Sequence, residues 1–587
     1  MGSIFCAFST SFLTTSAPNS LELSWILVFM PLLRDASFSD LRQALIALVC
    51  LPVLSFAIVD IVYHSMTEKA NTPPAAESRA FTRGMAGMTA ANLVTKALGY
   101  ARDALLVAVF GAGALADAYY AALRLVNVFR RTAGEGALNA VFIPRLEAEK
   151  LKGPSEAQAF FSAAWTVIFA LSALLAAAGI LFREQFALLT AWGFRSDPEK
   201  FALTALLAAV LMPHLLFVNV SALFTAALNS ARRFFLPGLA PAAFSLSVVA
   251  LLLAFQAGLL PALDARGRII AVAAVASASG LLQAALLLPS LFREGYRLKF
   301  SNPFLGLSAA PALLAAAPAA VTLAQDQVSL LINTFYASFL PAGAITAIYN
   351  SARLVQFPVS LFAAAAAAVS LPELSGRSAA GDKAGFRHHL KDAMAASWLI
   401  MLPAAAGIMV TALPVCRALF EHGRFTPEAS VITAQSLFWL ALGLPAYGFN
   451  KVAASALYAL GRPKGPLAIV SAQLALNALL CLVFMGNMGA GGLMLATSLS
   501  SWAAALAFLY ELRRRSGFSP LSDLPLLRPA LAAAASALAA FLLRESLASR
   551  GPLAVTAAAV PAAVAVYFLL LRLLRVEERR LVTGGRF

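Results

Sequence analysis

Between Asn92 and Pro144 the chain reads NLVTKALGYARDALLVAVFGAGALADAYYAALRLVNVFRRTAGEGALNAVFIP, two apolar helices joined at Phe110-Gly111-Ala112-Gly113. Inside that apolar stretch stand Lys96, Arg102, Asp103, Asp117, Arg124, Arg130, Arg131 and Glu135. An ionised side chain near the centre of a bilayer costs roughly 2.5–3.5 kcal/mol on the gentlest scale, so this many cannot all face lipid. The chemistry open to them is that of a wet, charged cavity enclosed by greasy helices.

Their spacing agrees. At 100° per residue Asp117, Arg124, Asn127, Arg131 and Glu135 share one sector of the second helix, while Ala, Leu, Val and Tyr cover the remainder. On the first helix Lys96, Gly99 and Asp103 share a face and Arg102 stands to one side. A juxtamembrane position is the competing reading for Asp117 and Glu135, which would lie at opposite ends of a helix about 27 Å long.

Such a stripe needs many apolar helices around it, and the composition supplies them. Of 587 residues 60% are hydrophobic and 12% charged, with a mean hydropathy of +0.80. Apolar runs of spanning length recur along the chain, which places it among all-α polytopic membrane proteins. A closed β-barrel would show short alternating segments instead. The runs predict about fourteen spans: 86–110, 114–142, 158–182, 200–228, 238–258, 268–290, 308–337, 342–371, 388–414, 430–460, 464–485, 489–511, 526–545 and 553–575. Residues 1–84 read as an N-terminal extension, in which Leu41–Tyr63 is long enough for one extra helix and Leu21–Leu33 is not.

Loops after the even-numbered spans are the basic ones, holding Arg145, Lys150 and Lys152, then Arg232 and Arg233, Arg293, Arg297 and Lys299, Arg377 and Lys383, Arg462 and Lys464, and Arg513 to Arg515. The positive-inside rule puts those loops and the basic C-terminal tail in the cytoplasm. The formal charge of +16 is spread over them, which fits an anionic leaflet and argues against nucleic acid. Cys6, Cys50, Cys416 and Cys481 have no paired spacing and read as packing residues. No HExxH, no GxxxxGK[ST] loop and no adjacent aspartates occur in the sequence, so metal hydrolysis, ATP hydrolysis on this chain and Asp-rich diphosphate chemistry are not expected.

A second polar helix pair follows about two hundred residues on. Helix seven carries Asp326, Asn333 and Thr334; helix eight carries Tyr349, Asn350 and Arg353 before Phe357-Pro358. Two halves that each open on a polar pair are what an internally repeated transporter shows, with its site between the repeats. Lys451 in helix ten is either a further cavity charge or a snorkelling lysine.

The first pair resembles the opening of the MurJ/MviN lipid II flippases, members of a superfamily that also contains multidrug and oligosaccharide-lipid exporters. ALNSARRFFLPGLAP at 227–241, NTFYASFLPAGAITAIYNSARLVQFPVSLFAAAAAAVSLPELS at 333–375 and LFEHGRFT at 419–426 extend the resemblance over the chain from about residue 86 onward. It implies fourteen helices in two lobes around a central cationic cavity, with residues 85–300 as the first lobe, 301–515 as the second and 516–587 as two further helices and a basic tail. It further implies a multi-pass protein of the bacterial cytoplasmic (inner) membrane, not an enzyme and without a cofactor. The cargo would be lipid II, the undecaprenyl-diphosphate disaccharide-pentapeptide, moved to the outer leaflet and driven by membrane potential or a monovalent cation. Membrane lipids and other cell-wall synthesis proteins would be its partners.

The family's substrate-binding positions fall on Lys96 (usually Arg), Arg102, Asp103, Arg130 and Arg353, with Thr95, Asp117, Arg124, Asn127, Arg131 and Glu135 in support. The helical stripe prefers Arg131 to Arg130; the family pattern prefers Arg130. Guanidinium groups suit a diphosphate because they offer forked, charge-assisted hydrogen bonds, whereas Asp103 either orients Arg102 and offsets the cavity charge or forms a plain structural ion pair. The chain departs from the family at Val126, usually proline, at Ala352 and Gln356, usually acidic, and at Asn333, where some relatives place an aspartate of a sodium site. The alternative function is export of another polyprenyl-diphosphate-linked glycan or of drugs; a drug exporter would favour an acidic cavity.

Overall fold

A computed structural model of the protein describes residues 76–130, 137–301, 327–360, 364–517, 524, 527–574 and 576, and no strand occurs among them. In chain order the helices are α1 (Ala76–Phe110), α2 (Ala114–Arg130), α3 (Ala137–Lys150), α4 (Pro154–Leu181), α5 (Arg183–Ala191), α6 (Pro198–Ser230), α7 (Phe235–Leu239), α8 (Ala242–Gln256) and α9 (Ala265–Arg293). After α10 (327–337) come α11 (Ala344–Pro358), α12 (Ala364–Ala379), α13 (Lys383–Phe420), α14 (Pro427–Ala441), α15 (Leu444–Ala459), α16 (Lys464–Ser516), α17 (Leu527–Ser546) and α18 (Pro552–Leu573).

Helix starts follow local chemistry. Asp197 before Pro198, Asp264, Asp382, and Thr426 before Pro427 each accept a backbone N–H of the first turn, satisfying donors that a helix leaves unpaired. Several sequence-predicted bounds shift. The span at 430–460 is the pair α14 and α15, bent by 42°. The spans at 464–485 and 489–511 form one run broken at Gly489. The span at 342–371 runs as α11 to Pro358, goes on as a π turn at 359–360 and is described again as α12 from Ala364, and α5 with the 3₁₀ turn Trp192–Ser196 is an addition. Helix α1 begins at Ala76, inside the segment assigned to the extension; the extra helix at Leu41–Tyr63 lies outside the described residues.

Eight described helices are long and apolar enough to cross a membrane, or nine if the bent pair counts as one span. Helices α1, α2 and α11 are not among them: α2 and α11 have only 17 and 15 residues, and α1 holds Lys96, Arg102 and Asp103 within its apolar half. Of the helices bearing the polar residues, α2 and α11 are thus too short to count as spans and α1 too charged.

Packing is asymmetric along the bundle. Helix α6 packs on α2, α4 and α9, and α14 packs on α11, α13 and α16, with α17 and α18 laid against α13. At the end away from the basic loops one apolar cluster runs through both halves, joining Leu106, Tyr119, Tyr120 and Leu207 to Ile345, Tyr349, Phe420 and Leu493. At the basic-loop end each of the two halves has a cluster of its own among the described residues. One is built on Phe142, Phe161, Phe224 and Leu291, the other on Phe386, Leu390, Val452 and Phe508. The halves are fused at one end and parted at the other.

The fused end is sealed backbone to backbone. The Arg424 N–H donates to the Ala108 carbonyl at 2.8 Å. Gly423, at φ 60°, has no room for a Cβ against the Ala108 carbonyl, and a Cβ on Gly343 (φ 98°) would stand 2.9 Å from the Ala112 carbonyl. Both glycines adopt left-handed backbone that other residues enter at a cost. Gly423→Ala is expected to part this seal: a cysteine placed at Ala112 should label faster with an impermeant thiol reagent added from outside sealed cells. Unchanged labelling would show that the Gly423 contact does not hold the end shut.

Candidate functional site

The residues that sequence reading singled out on α1 and α11 converge. Asp103, whose side chain is 2% exposed, accepts from Arg102 Nε at 2.9 Å and Nη2 at 2.6 Å through Oδ1. Its Oδ2 accepts from Arg353 Nε at 2.9 Å. One carboxylate therefore joins a neighbour in its own helix to an arginine 250 residues away. The Arg102 guanidinium lies 4.6 Å from the Phe244 ring centroid on α8, and its Nη2 reaches the Tyr349 hydroxyl at 3.4 Å. Tyr100 donates to the Arg353 carbonyl at 3.0 Å, and a Cβ at Gly99 would already touch Arg353 Nη2 at 3.4 Å. Long side chains from α1 and α11 thus bridge the space between the two helices, with polar groups as the link.

Layers stack on either side of this cluster. Toward the sealed end Tyr120 of α2 stacks on Tyr349 of α11, centroids 4.0 Å apart, and the buried Arg124 lies 5.4 Å from the Tyr349 ring. Beyond them Asp117 takes four donors: Gly343 N at 2.8 Å, Thr346 N at 2.9 Å, Thr346 Oγ1 at 2.8 Å and Lys200 Nζ at 3.2 Å. Asp117 thus caps the N-terminus of α11 from across the junction, where the helix dipole favours an anion. Lys200 also stands 3.8 Å over the Phe194 ring. Toward the parted end Lys96 Nζ donates to Ser360 at 2.8 Å and lies 5.8 Å from the Phe357 centroid. Arg130 Nε donates to Asn127 Oδ1 at 3.4 Å.

Of the expected site residues, Arg102, Asp103 and Arg353 form the centre, Arg124 adjoins it through Tyr349, and Lys96 flanks it. Asn127 and Arg130 sit further along α2, in contact with each other. Thr95 does not join: its hydroxyl donates to the Gly238 carbonyl on α7, so it anchors α1 to its own half. Asp117 sits in the seal and not in the wet part of the stripe, because the α11 N-terminus offers it more donors than a cavity would. Arg131 and Glu135 lie outside the described residues. Sequence reading left Tyr100, Tyr120, Lys200, Phe244 and Thr346 out of the site. Thr346, Asn350 and Arg353, spaced four and three apart, carried a usable signal, because that spacing makes one helical stripe on α11.

Asn333, read against an aspartate in some relatives, donates to Thr497 Oγ1 at 2.8 Å and accepts from Asn477 at 3.2 Å. This neutral network ties α10 to both parts of α16. Cys481 packs beside it, and both it and Cys416 are buried free thiols.

A family model described as lipid II flippase MurJ matches residues 106–559. A probable lipid II flippase MurJ from Rhizobium meliloti (strain 1021) is 31% identical over 81% of this chain and 91% of its own length. The chain belongs to the lipid II flippase MurJ family. Its fold is that of the solved "Lipid II flippase MurJ, inward closed conformation", at a TM-score of 0.69 and 22% identity over 84% of this chain and 99% of that one. An inward-facing multidrug resistance transporter of the MATE family and MOP superfamily follows at 0.58, with 14% identity over 72% and 94% of the two chains. The family match begins after Lys96, Arg102 and Asp103, so the place of those residues in this member rests on the geometry above. The chain is a multi-pass membrane transporter.

Removing one partner of a buried charge pair costs about 3–5 kcal/mol, because the other charge is left uncompensated. Asp103→Asn is therefore expected to lower the thermal midpoint of the detergent-solubilised protein by several degrees. Adding Arg353→Met to it should recover part of that loss, a coupling that a double-mutant cycle reads directly.

Proposed function

We propose that this protein carries lipid II from the cytoplasmic to the outer leaflet of the bacterial inner membrane by alternating access, and that it does so as a transporter without catalysis. The observation that carries this reading is the Arg102–Asp103–Arg353 cluster. Arginines from the two halves meet on one carboxylate at the point where the bundle parts. A guanidinium has five N–H donors, and of those on Arg353 only Nε–H is used by a described residue. The Arg353 side chain is 33% exposed. It can therefore take a diphosphate oxygen while still holding Asp103, or leave Asp103 for it.

A polyanionic head group drawn uncompensated through hydrocarbon would cost more than binding can return. Passing it along Lys96, Arg102 and Arg353 replaces its hydration with charge-assisted bonds, while the polyprenyl tail stays in lipid. With the basic loops in the cytoplasm, the parted end faces inward and the sealed end outward. Outward release then requires the Asp117 cap and the Gly423 contact to break while the two basic-loop clusters come together, a rocking of 85–300 against 301–515. Membrane potential, worth about 2.3 kcal/mol per charge per 100 mV, favours moving negative charge outward and is the proposed driving force.

Complementation tests the reading. In cells depleted of their own lipid II flippase, the chain from Met85 onward should restore growth, and an equally abundant Arg353→Ala should not. Growth with both would overturn the role of the cationic cluster; growth with neither, nor with the full chain, would overturn the substrate.

A further inference from the structure

We propose that Asn350, together with the stacked pair Tyr120 and Tyr349, is a saccharide subsite that the sealed end hides. It rests on the flippase reading above and deepens it: the ligand is the sugar attached directly to the diphosphate, recognised through its hydroxyl and acetamido groups.

Asn350 is 0% exposed, and among the described residues neither its Nδ2 nor its Oδ1 has a hydrogen-bond partner. An amide with both ends unmade inside a protein core is rare and costly, since each group forfeits its hydration with nothing in return. The hydroxyls of Tyr119 and Tyr120 are buried without partners among the described residues as well. Tyr119 packs edge-on against Tyr120 at 5.7 Å, and Tyr120 stacks on Tyr349, next in the chain to Asn350. Unmet polar atoms thus gather in one layer, between the Asp117 cap and the arginine cluster.

The layer lies where the two halves must separate. On α11, Thr346, Asn350 and Arg353 fall within about 60° of one another at 100° per residue. Thr346 is fastened to Asp117 of α2 and Arg353 to Asp103 of α1, so Asn350 stands between two contacts that bridge the halves. When those contacts break and α2 leaves α11, the Tyr120–Tyr349 stack opens, presenting two aromatic faces beside a primary amide. Aromatic faces receive the C–H side of a sugar ring, and a carboxamide offers one donor and one acceptor to neighbouring hydroxyls. Asn350 stands three residues, about 4.5 Å of helix rise, from Arg353, the span from a diphosphate to the first ring it carries. In the sealed state the same groups are buried against one another with their hydrogen bonds unmade. A ligand that satisfies them binds only the separated state and draws the population toward it.

The test measures binding to the full-length protein in nanodiscs with two probes, lipid II and undecaprenyl diphosphate, for wild type, Asn350→Leu and Tyr120→Phe. Wild type should bind lipid II more tightly than the sugar-free lipid. Asn350→Leu should lose about tenfold in lipid II affinity, with undecaprenyl diphosphate unchanged within twofold, and the ligand-free variant should melt no lower than wild type because a costly buried amide has gone. Tyr120→Phe, which keeps the ring, should show a smaller loss of the same kind. Equal weakening of both lipids, unchanged lipid II binding or a lowered midpoint in Asn350→Leu would overturn the subsite and leave the flippase reading standing. Wild-type protein that binds neither lipid would overturn both.

Discussion

The structure turns on one buried carboxylate held by two guanidinium groups. Asp103 is shut away from solvent with Arg102 on one oxygen and Arg353 on the other. A lone ion in that place would be costly, and a simple pair would gain little over apolar packing. Three groups with a net positive charge do something a pair does not. They keep the middle of the bundle electrostatically unsatisfied by one charge, and they make two halves of the molecule share the same acceptor. The surroundings follow: Phe244 covers Arg102, and Tyr349 lies beside both arginines.

Around that centre the two ends of the bundle are held by different forces. The end away from the basic loops is closed by directional contacts: the Arg424 N–H on Ala108, glycine against carbonyl, and the Asp117 carboxylate on the α11 N-terminus. Such contacts are geometrically exacting and lost together when backbones move apart. Lys200 stays with Asp117 on the same half, so Asp117 keeps a cation when α11 withdraws. At the basic-loop end the two apolar clusters are each complete and separate. A bundle with one exacting seal and two self-sufficient bases can rock without exposing its core.

Most of the architecture was legible in the sequence, because the bilayer is a severe solvent. Apolar length fixes helices, and ions inside apolar runs must be paired or face a cavity instead of lipid. A bound differs where a backbone bend leaves apolar composition unchanged, between α14 and α15; the break at Gly489 falls where the sequence separates the spans 464–485 and 489–511. Lys200, the first residue of the span 200–228, carries no local sign of its role, because its partner is 83 residues distant.

The sequence by itself determined the all-helical membrane class and the charged stripe, consequences of solvent and helical period, which act locally; Arg102, Asp103 and Arg353 stand as expected site residues through the family resemblance. Tertiary structure alone decided which charges meet: that Asp103 bridges the halves, that Asp117 caps a helix instead of lining the cavity, that Thr95 anchors α7, and that Asn350 is buried with its amide unmet. Periodicity gives the face of a helix but not the helix opposite it, and partner and distance exist only once the two halves have packed.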